Sequence, residues 1–554
     1  MTRSTRAVRQ AGWACVALLA WLTAYPLLLV ALDALRGADG HWSLDALRAF
    51  AARPTEAQAL WNSCWLSLAT VFGCALIGVP TAWLLERADL PGRRLLGTLF
   101  LLPAVLPPLV GVLALLFLAG ESGFAAHLVQ ALTGSAEAPW RLEGAAAILL
   151  VHVHAMSIYF HVFARAAFRT LDAAQLEAAA ALGGSHWRTW RAVVLPHLRP
   201  ALAGAGLVTF MTSLASFSAP YLFGGGTRVM TTQVLATRLN GDYALAMTET
   251  LALTALALAA LVVVRALDVD EPPRGAGKGT SSVARVVFTP PVRLLVGVAA
   301  WGTALIGMLP HLTLLVISLV PRGTWTTQAV PPALTLGNYA TLIADPVRAR
   351  PLVTSLWMGG LAAAVATLLA LAAAWLAVGR RVPARRWIEA LVALPWAVPG
   401  TVFAIALATT FSVHRPWAGR VVLIGTVWLL PLAYMARALP LAGRGLVAAW
   451  RRLDPALEDA AAALGAGPWR TLREVTLPLL RPALLAAASL AFVTGFGDVV
   501  ASIVLYTYDT RPVSLEILGS LRQSDVGVAA AYGVVLMVVS AFVMALGRDR
   551  DVSE

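Results

Sequence analysis

Residues 177–196 of this 554-residue chain read EAAAALGGSHWRTWRAVVLP, and residues 459–478 read DAAAALGAGPWRTLREVTLP. Between residues 178–202 and residues 460–484, 18 of 25 positions are identical. A match of this length at a fixed separation indicates an internal duplication. An internal duplication implies that the fold consists of repeated units, whatever the individual elements are. The sequence therefore predicts a fold built from two related halves.

The duplication extends beyond this stretch. At an offset of 292 residues, Pro54 and Trp65 match Pro346 and Trp357, and the register continues through the arginines and prolines that follow. Between Pro107 and the repeated stretch the offset falls to 282 residues. The second half has therefore lost about ten residues, and we place this loss in the loop at residues 119–145.

The composition is that of a membrane protein. Hydrophobic residues make up 59% of the chain and charged residues 13%, whereas about a quarter of the residues of a soluble domain are charged. Apolar runs long enough to cross a bilayer as helix occur about twelve times, near residues 12–32, 62–85, 96–118, 146–167, 200–223, 247–267, 294–320, 353–378, 388–411, 421–442, 483–506 and 527–547. The predicted fold is an all-α polytopic membrane protein with about twelve transmembrane helices in two parallel six-helix repeats.

The halves are predicted at residues 1–267 and 288–554. Residues 268–287 join them with a polar sequence rich in Pro, Gly and Ser, which is typical of a flexible tether. Because each half has six spans, each begins and ends on the same side, and an axis along the membrane normal relates them.

Arginine is concentrated on one set of loops. Arg93, Arg94, Arg188 and the stretch 451–481 all fall on the same side of the predicted spans, and basic loops remain in the cytoplasm. We therefore expect both repeats and both termini to be cytoplasmic. The net charge of +13 is explained by anionic lipid headgroups and indicates no nucleic-acid partner.

Each repeated stretch predicts a helix, a turn and a second short helix. Gly183 and Gly465 end alanine-rich helices in a position that favours the left-handed conformation, and Trp187 and Trp469 begin the short helices. The Leu-Pro pairs at 195–196 and 477–478 predict a break before the next span. One such element can be a helix held at the headgroups by Trp and Arg, but two equivalent copies favour docking to a partner with two equivalent sites.

The stretches resemble the EAA loop of permease subunits in bacterial ATP-binding-cassette (ABC) importers. The pattern is an acidic residue, Ala-Ala, three residues, Gly, nine residues, an aliphatic residue, one residue and Leu-Pro, and both copies have this spacing. The second copy has Asp459 at the leading acidic position, with Glu458 just before it, so either carboxylate is a candidate for the partner contact.

This resemblance implies that the short helices are coupling helices seated in grooves of a dimeric cytoplasmic ATPase. The substrate would arrive from a periplasmic binding protein at the bacterial inner membrane, and the two halves would alternate between inward-open and outward-open states. The implied coupling residues are Glu177, Ala178, Ala179, Gly183, Trp187, Arg188, Glu458, Asp459, Ala460, Ala461, Gly465, Trp469 and Arg470.

The chain itself is not expected to hydrolyse ATP or to hold a cofactor. Its one look-alike of a phosphate-binding loop, GAGKGT at residues 275–280, lacks the glycine five residues before the Gly-Lys pair. It also has Gly279 where Ser or Thr is needed. We therefore predict a transport component and not an enzyme.

Hydroxyl groups, glycines and one carboxylate follow each repeat and mark a candidate translocation path. Asp498 lies at membrane depth, where a charge is costly enough to suggest a function, although a partnered residue between helices is an equal alternative. The candidate path residues are Ser213, Ser216, Ser218, Phe496, Asp498 and Ser502.

A metal site is not predicted. His152, His154 and His161 lie on one predicted helix without a nearby Cys, Asp or Glu to complete a ligand set. Hydrogen-bonded histidines between helices are the favoured reading, with transient metal contact as the alternative. The three cysteines fall in predicted spans without paired spacing.

The substrate is suggested by resemblance alone. Two fused permease halves, with VVASIVLYTYDTRPVSLEIL at residues 499–518, are similar to the permeases of ferric iron importers. Thiamine, phosphonate and polyamine importers have similar segments. A proton- or sodium-driven twelve-helix transporter is an alternative from another class, but it does not require matched cytoplasmic repeats for docking. A receptor or scaffold is a third alternative, which the near-exact register of the duplication disfavours.

Overall fold

The computed structural model describes residues 3–36, 41–266, 286, 288–324, 331, 333–413 and 421–547. Apart from Val286, the predicted linker at residues 268–287 lies outside the described residues, and so does the GAGKGT stretch. The regular elements of the described part are α-helices with a few short 3₁₀ and π segments. The β-type pairing in the described part consists of two isolated bridges.

The helices of the first half are α1 (Arg3–Leu19), α2 (Tyr25–Ala34), α3 (Asp45–Ala52), α4 (Pro54–Arg87), α5 (Arg93–Leu101), α6 (Pro108–Ala119), α7 (Phe124–Thr133), α8 (Gly144–Arg169), α9 (Ala173–Ala181), α10 (His186–Thr189), α11 (Leu195–Leu214), α12 (Ser218–Phe223), α13 (Met230–Leu239) and α14 (Tyr243–Ala266).

The helices of the second half are α15 (Pro290–Ser318), α16 (Gly337–Ala344), α17 (Pro346–Ala374), α18 (Arg385–Ala393), α19 (Gly400–Thr410), α20 (Leu429–Arg452), α21 (Pro455–Ala463), α22 (Pro468–Thr471), α23 (Leu477–Phe496), α24 (Val500–Leu505), α25 (Val513–Arg522) and α26 (Val526–Leu546). They follow the order of the first half, except that the single helix α15 occupies the place of α1 and α2. Helix α7 lies in the loop at residues 119–145, where the sequence predicts extra residues; the matching region of the second half includes residues 414–420, outside the described part.

The membrane-spanning character of the fold is confirmed. Ten helices of the described part are long and apolar enough to cross a bilayer, and an eleventh span forms if Arg385–Trp396 and Gly400–Thr410, bent by 105°, count as one. The span predicted at residues 421–442 overlaps α20, which begins at Leu429 and ends at Arg452. Helix α20 is not among the helices that are apolar enough to cross a bilayer by themselves. Helix α20 carries four arginines and is buried over much of its length, and contact with other helices lets a membrane helix carry such residues.

The two halves are interlocked through their first helices. Helix α15, the first of the second half, packs on α5 of the first half, where Ala300 and Ala304 share a core cluster with Leu85 and Leu96. Helix α1 packs in the same way on α18 of the second half. Each half therefore holds an element of the other, which makes one body of the two repeats.

Within each half, close packing rests on small residues. An added Cβ on Gly78 in α4 would lie 2.5 Å from the backbone oxygen of Ser157 in α8, so the two backbones nearly touch. In α17, Ala362, Ala366 and Ala370 are buried against neighbouring helices. Small residues permit this approach in membrane bundles, where packing and not water exclusion holds helices together.

Candidate functional site

The first repeat forms a helix, a tight turn and a short helix. The Asp172 carboxylate caps α9 by accepting a hydrogen bond of 3.0 Å from the Ala174 amide. Gly183 ends the helix at φ +73°, and the Gly184 amide donates to the Ala179 carbonyl at 3.0 Å. These bonds are those of a glycine-terminated helix, and they turn the chain back toward α10.

The second repeat has the same geometry. Asp454 caps α21 through the Ala456 amide at 2.9 Å, Gly465 has φ +82°, and the Ala466 amide donates to Ala461 at 3.0 Å. The helix, turn and short helix predicted from the sequence are therefore present in both copies with equivalent hydrogen bonds.

The prediction that the Leu-Pro pairs at 195–196 and 477–478 break the helix is wrong. Helices α10 and α22 continue without interruption into α11 and α23 through single π-helical turns, Trp190–Val194 and Leu472–Thr476. Proline cannot donate the usual helical hydrogen bond, and a π-turn widens the helix locally and absorbs such a defect. Each short helix is therefore a rigid extension of the span that follows it.

Large apolar side chains stand out from both turns at equivalent positions. Trp187 is 73% exposed and Trp469 is 68% exposed, while Leu182 and Leu464 are 88% and 89% exposed. Single exposed apolar residues are common on proteins, but the same pair on both repeats forms a matched surface. We call this Trp–Leu surface, with the acidic and arginine residues around it, the docking loop of each half.

The two docking loops differ in several internal contacts, and one of them involves Glu458. In the second loop Thr476 donates a hydrogen bond of 3.2 Å to Glu458. In the first loop the equivalent residues are Leu176 and Val194, which belong to one apolar cluster. Glu458 is thus tied to its own loop, whereas Asp459, like Glu177 in the first loop, is exposed.

The predicted path residues of the first half gather around a buried histidine. His152 Nε2 lies 2.8 Å from Ser216 Oγ, and its Nδ1 lies 3.1 Å from Ser213 Oγ and 3.3 Å from Thr70 Oγ1. The small cavity beside these side chains has a volume of about 10 Å³, which is about one water molecule. Ser218 begins α12 next to this cluster and is buried.

In the second half, the buried Asp498 forms an ion pair with the partly buried Arg437 of α20. The same carboxylate accepts hydrogen bonds from the amides of Ala501 and Ser502 at 2.7 and 3.3 Å, so it also caps α24. Ser502 Oγ lies 2.7 Å from the Tyr434 hydroxyl. Every one of these contacts is buried or partly buried, so they fix the chain segment between α23 and α24.

The segments after α11 and α23 are held by equivalent hydrogen bonds. Ser63 accepts from the Met230 amide at 2.8 Å, and Ser355 accepts from the Val513 amide at 2.9 Å. The Thr231 hydroxyl donates to the Ser216 carbonyl at 2.8 Å, as Ser514 does to the Asp498 carbonyl at 2.7 Å. The duplication thus includes the buried polar frame of each half.

The two candidate path segments meet at one core. Phe217 and Phe496 belong to the same buried cluster, together with side chains of α6, α15 and α26. An added Cβ on Gly497 would lie 2.7 Å from the Pro107 ring. The segments of the two halves therefore approach each other closely, at the junction between the repeats.

Three contacts in this region were not predicted from the sequence. The sequence does not pair Arg437 with Asp498, Tyr434 with Ser502, or His152 with the path serines. Alignment of the halves offers one signal, because Tyr434 occupies the position of His152 and both bond to a serine near the α12 or α24 segment.

Two of the three histidines of α8, His152 and His161, contact hydroxyl groups, whereas His154 Nε2 is buried without a hydrogen-bond partner among the described residues. His161 Nδ1 lies 3.0 Å from Thr81 Oγ1, and His152 contacts Thr70, Ser213 and Ser216 as described above. In the part of the chain that the structure describes, no three His, Cys, Asp or Glu side chains come together as metal ligands. The observed contacts agree with the favoured reading of His152 and His161 as hydrogen-bonded residues between helices.

Known proteins share this duplicated pattern. The family model of the binding-protein-dependent transport system inner membrane component matches the chain twice, at residues 75–269 and 366–548. Each match contains one docking loop and the segment after it that holds Ser216 or Asp498, while Ser63 and Ser355 lie before the matched residues. The matches together cover more than half of the chain.

Individual relatives agree with the family match. The chain is 31% identical over 99% of its length to a protein of Sinorhizobium fredii named as an ABC transporter permease, y4fN, of which the match covers 97%. It is 28% identical over 86% of its length to the ferric transport system permease protein FbpB of Actinobacillus pleuropneumoniae, with 69% of that protein covered. The sulfate transport system permease protein CysT of Escherichia coli is 31% identical over 31% of this chain and 65% of its own length. The chain therefore belongs to the family of binding-protein-dependent transport system inner membrane components, and it carries two copies of the family's domain in a single polypeptide.

Proposed function

We propose that the docking loops couple this permease to the two subunits of a cytoplasmic ATPase. The observation that carries the proposal is the pair of equivalent Trp–Leu surfaces, each exposed on a turn that is built by the same hydrogen bonds. A dimeric partner has two equivalent grooves, and large apolar anchors at the centre of a contact provide most of its affinity. ATP-driven closure of the dimer would then move the two halves between inward-open and outward-open states.

The continuous helices give this coupling a mechanical route. Because α10 and α22 run through π-turns into α11 and α23, a displacement of a docking loop is carried directly into a membrane span. The spans end at the Ser216 and Asp498 segments, where the halves meet. We propose that the translocation path opens at this junction, lined by the segments that hold Ser213, Ser216, Ser218, Phe496, Asp498 and Ser502.

The proposed topology keeps the boundaries predicted from the sequence. The halves at residues 1–267 and 288–554 would be joined by a cytoplasmic linker at 268–287, with both termini in the cytoplasm. A periplasmic binding protein would deliver substrate at the opposite face, at the bacterial inner membrane. The family match removes the ion-driven secondary transporter as an alternative.

Asp459 and not Glu458 is proposed as the partner contact of the second docking loop. Asp459→Ala is expected to weaken binding of the ATPase roughly tenfold or more, since a hydrogen bond to a charged group contributes about 1.5–3 kcal/mol. Glu177→Ala is expected to act in the same way on the first loop. Affinity of the detergent-solubilised permease for its ATPase, measured by biolayer interferometry, checks both effects.

Glu458→Gln is the matched control, because a glutamine oxygen can still accept the Thr476 hydrogen bond. We expect it to change the affinity less than about threefold. A large loss with Glu458→Gln and none with Asp459→Ala would reverse the assignment.

Ferric iron is the proposed substrate. The support is the similarity of both halves to a ferric transport permease over 86% of the chain, whereas the sulfate permease matches 31% of it. In such a system the binding protein can set the selectivity, so the permease need not hold iron ligands of its own. Thiamine, phosphonate and polyamines are the competing substrates.

The substrate is tested with the ATPase activity of the reconstituted complex. In proteoliposomes that contain the permease and its ATPase, we expect the ferric-loaded cognate binding protein to stimulate ATP hydrolysis above the level with the unloaded protein. Thiamine-, phosphonate- and polyamine-loaded binding proteins serve as the comparison. Stimulation by one of these and none by the ferric form would refute the choice of iron and leave the coupling proposal intact.

A further inference from the structure

An arginine-lined pocket lies between α5 and the end of α8 in the first half. Its volume is about 380 Å³, and it is lined by Arg93, Arg94, Gly97, Thr98, Leu101, Arg165 and Arg169. Arg169 is the last residue of α8, just before the first docking loop. The volume is within the range of small-ligand sites.

The pocket has an excess of positive charge. Glu86 Oε2 pairs with Arg93 Nη2 at 2.9 Å, while Glu86 Oε1 pairs with Arg165 Nε at 2.6 Å and Arg169 Nε at 3.0 Å. A single carboxylate thus holds three guanidinium groups in place, and Arg94 adds a fourth at the exposed rim. Arg93 Nε also donates to the Leu85 carbonyl. Arg165 and Arg169 contact Glu86 through Nε, and each guanidinium has five N–H donors, so the Nη donors of these two arginines remain for another anion.

Gly97 keeps the floor of the pocket open. A Cβ built on Gly97 would lie 3.8 Å from Arg165 Nη1. The position therefore faces the guanidinium at ordinary contact distance, and any longer side chain at residue 97 would extend among the arginines.

The second half fills the equivalent place with its own carboxylate. At the position of Gly97 it has Glu389, which pairs with Arg451 at 2.7 Å, and Arg451 is the equivalent of Arg169. Valines 378 and 447 stand where the first half has Glu86 and Arg165. The second half keeps arginines at the positions of Arg93 and Arg94, namely Arg385 and Arg386. It therefore has three equivalent arginines to one carboxylate, and that carboxylate stands at the position of Gly97. The first half has four arginines to one carboxylate and leaves the position of Gly97 without a side chain.

From this difference we infer that the pocket of the first half binds the phosphate group of an external ligand. The guanidinium group of arginine can donate two parallel hydrogen bonds to the oxygens of one phosphate. The contacts with Glu86 hold the guanidinium groups of Arg93, Arg165 and Arg169 in place beforehand. Arginines that merely mark a cytoplasmic loop would not need a shared buried carboxylate or an open floor. The phosphate can come from an anionic lipid headgroup or from a soluble phosphate, and the site is independent of the proposed ATPase.

The test compares Gly97→Glu with wild type in two binding measurements. Gly97→Glu places in the first half the carboxylate that the second half already has. Delipidated permease in detergent is titrated with radiolabelled orthophosphate, and permease in nanodiscs is assayed for retained phosphatidylglycerol against phosphatidylcholine by native mass spectrometry. We expect Gly97→Glu to weaken binding of the phosphate ligand about tenfold, which corresponds to one lost charged contact.

Gln175→Glu is the charge-matched control, because it adds the same negative charge at an exposed position of α9 outside the pocket. We expect it to change binding less than about twofold. If Gly97→Glu does not fold, Arg94→Gln replaces it, since the Arg94 side chain is exposed. Loss of orthophosphate binding identifies a soluble phosphate, and loss of phosphatidylglycerol alone identifies a lipid headgroup. Equal binding of both ligands by wild type and by the pocket variants, or no binding by wild type, overturns the proposal.

Discussion

Substitution of valine for both turn glycines, Gly183→Val and Gly465→Val, is expected to reduce ATP-driven uptake by roughly tenfold to a hundredfold. Both glycines have left-handed backbone angles, φ +73° and +82°. A residue with a side chain pays about 1–2 kcal/mol for this conformation, and a β-branched residue is especially unfavourable there. We expect the turns to change conformation, which would displace Trp187 and Trp469 relative to α11 and α23.

The control for this prediction lies in the second docking loop. Gly467 has φ −72°, and an added Cβ at this position meets nothing within 4 Å. Gly467→Val therefore adds the same side chain to the same loop without the backbone cost. Uptake by proteoliposomes containing the ATPase is measured for both variants, with equal membrane insertion verified by fluorescence size-exclusion chromatography. Normal uptake by the double variant would refute the role given to the turns.

Asp498→Ala is expected to destabilise the permease by up to about 3–5 kcal/mol, the cost of breaking a fully buried pair, because it leaves the partly buried Arg437 without its partner. It also removes the acceptor for the Ala501 and Ser502 amides. The loss is expected as a large fall in the melting temperature of the detergent-solubilised protein, measured by differential scanning fluorimetry.

Two controls test whether the loss of stability comes from the unpaired charge of Arg437. Asp509→Ala breaks an exposed ion pair with Arg350, and such pairs contribute about 0–1 kcal/mol. The double variant Asp498→Ala with Arg437→Leu removes both charges and is expected to recover much of the lost stability. A double variant no more stable than Asp498→Ala alone would contradict this account of the pair. If the Asp498→Ala variant is stable but takes up no substrate, the Asp498 carboxylate belongs to the translocation path.

The sequence predicts the fold well where the information is local or duplicated. The turns at Gly183 and Gly465 are visible because a helix that ends in a left-handed residue needs glycine, and because two copies agree. The spans are visible because each is a continuous apolar run. Two regions are exceptions. The run at 388–411 forms two helices bent by 105°, and α20 carries arginines that make it resemble a surface helix until its neighbours are known.

Contacts between distant segments could not be predicted in the same way. The Asp498–Arg437 pair joins residues on different helices, and no periodic pattern in either helix identifies the other. The Glu458–Thr476 hydrogen bond decides which acidic residue is free, but it depends on the fold of the loop. The pocket around Gly97 requires three arginines from α5 and α8 to meet one carboxylate of α4, which only the packed structure brings together.

The central claim is that this permease is driven by an ATPase bound at its two docking loops. The most direct measurement is substrate uptake by proteoliposomes that contain the permease and its loaded binding protein, with the ATPase present or omitted and with ATP or a non-hydrolysable analogue. The account predicts uptake only with ATPase and ATP together, and loss of ATPase co-purification when Trp187 and Trp469 are both replaced by alanine. Uptake that persists without the ATPase, or co-purification that survives loss of both tryptophans, would contradict it.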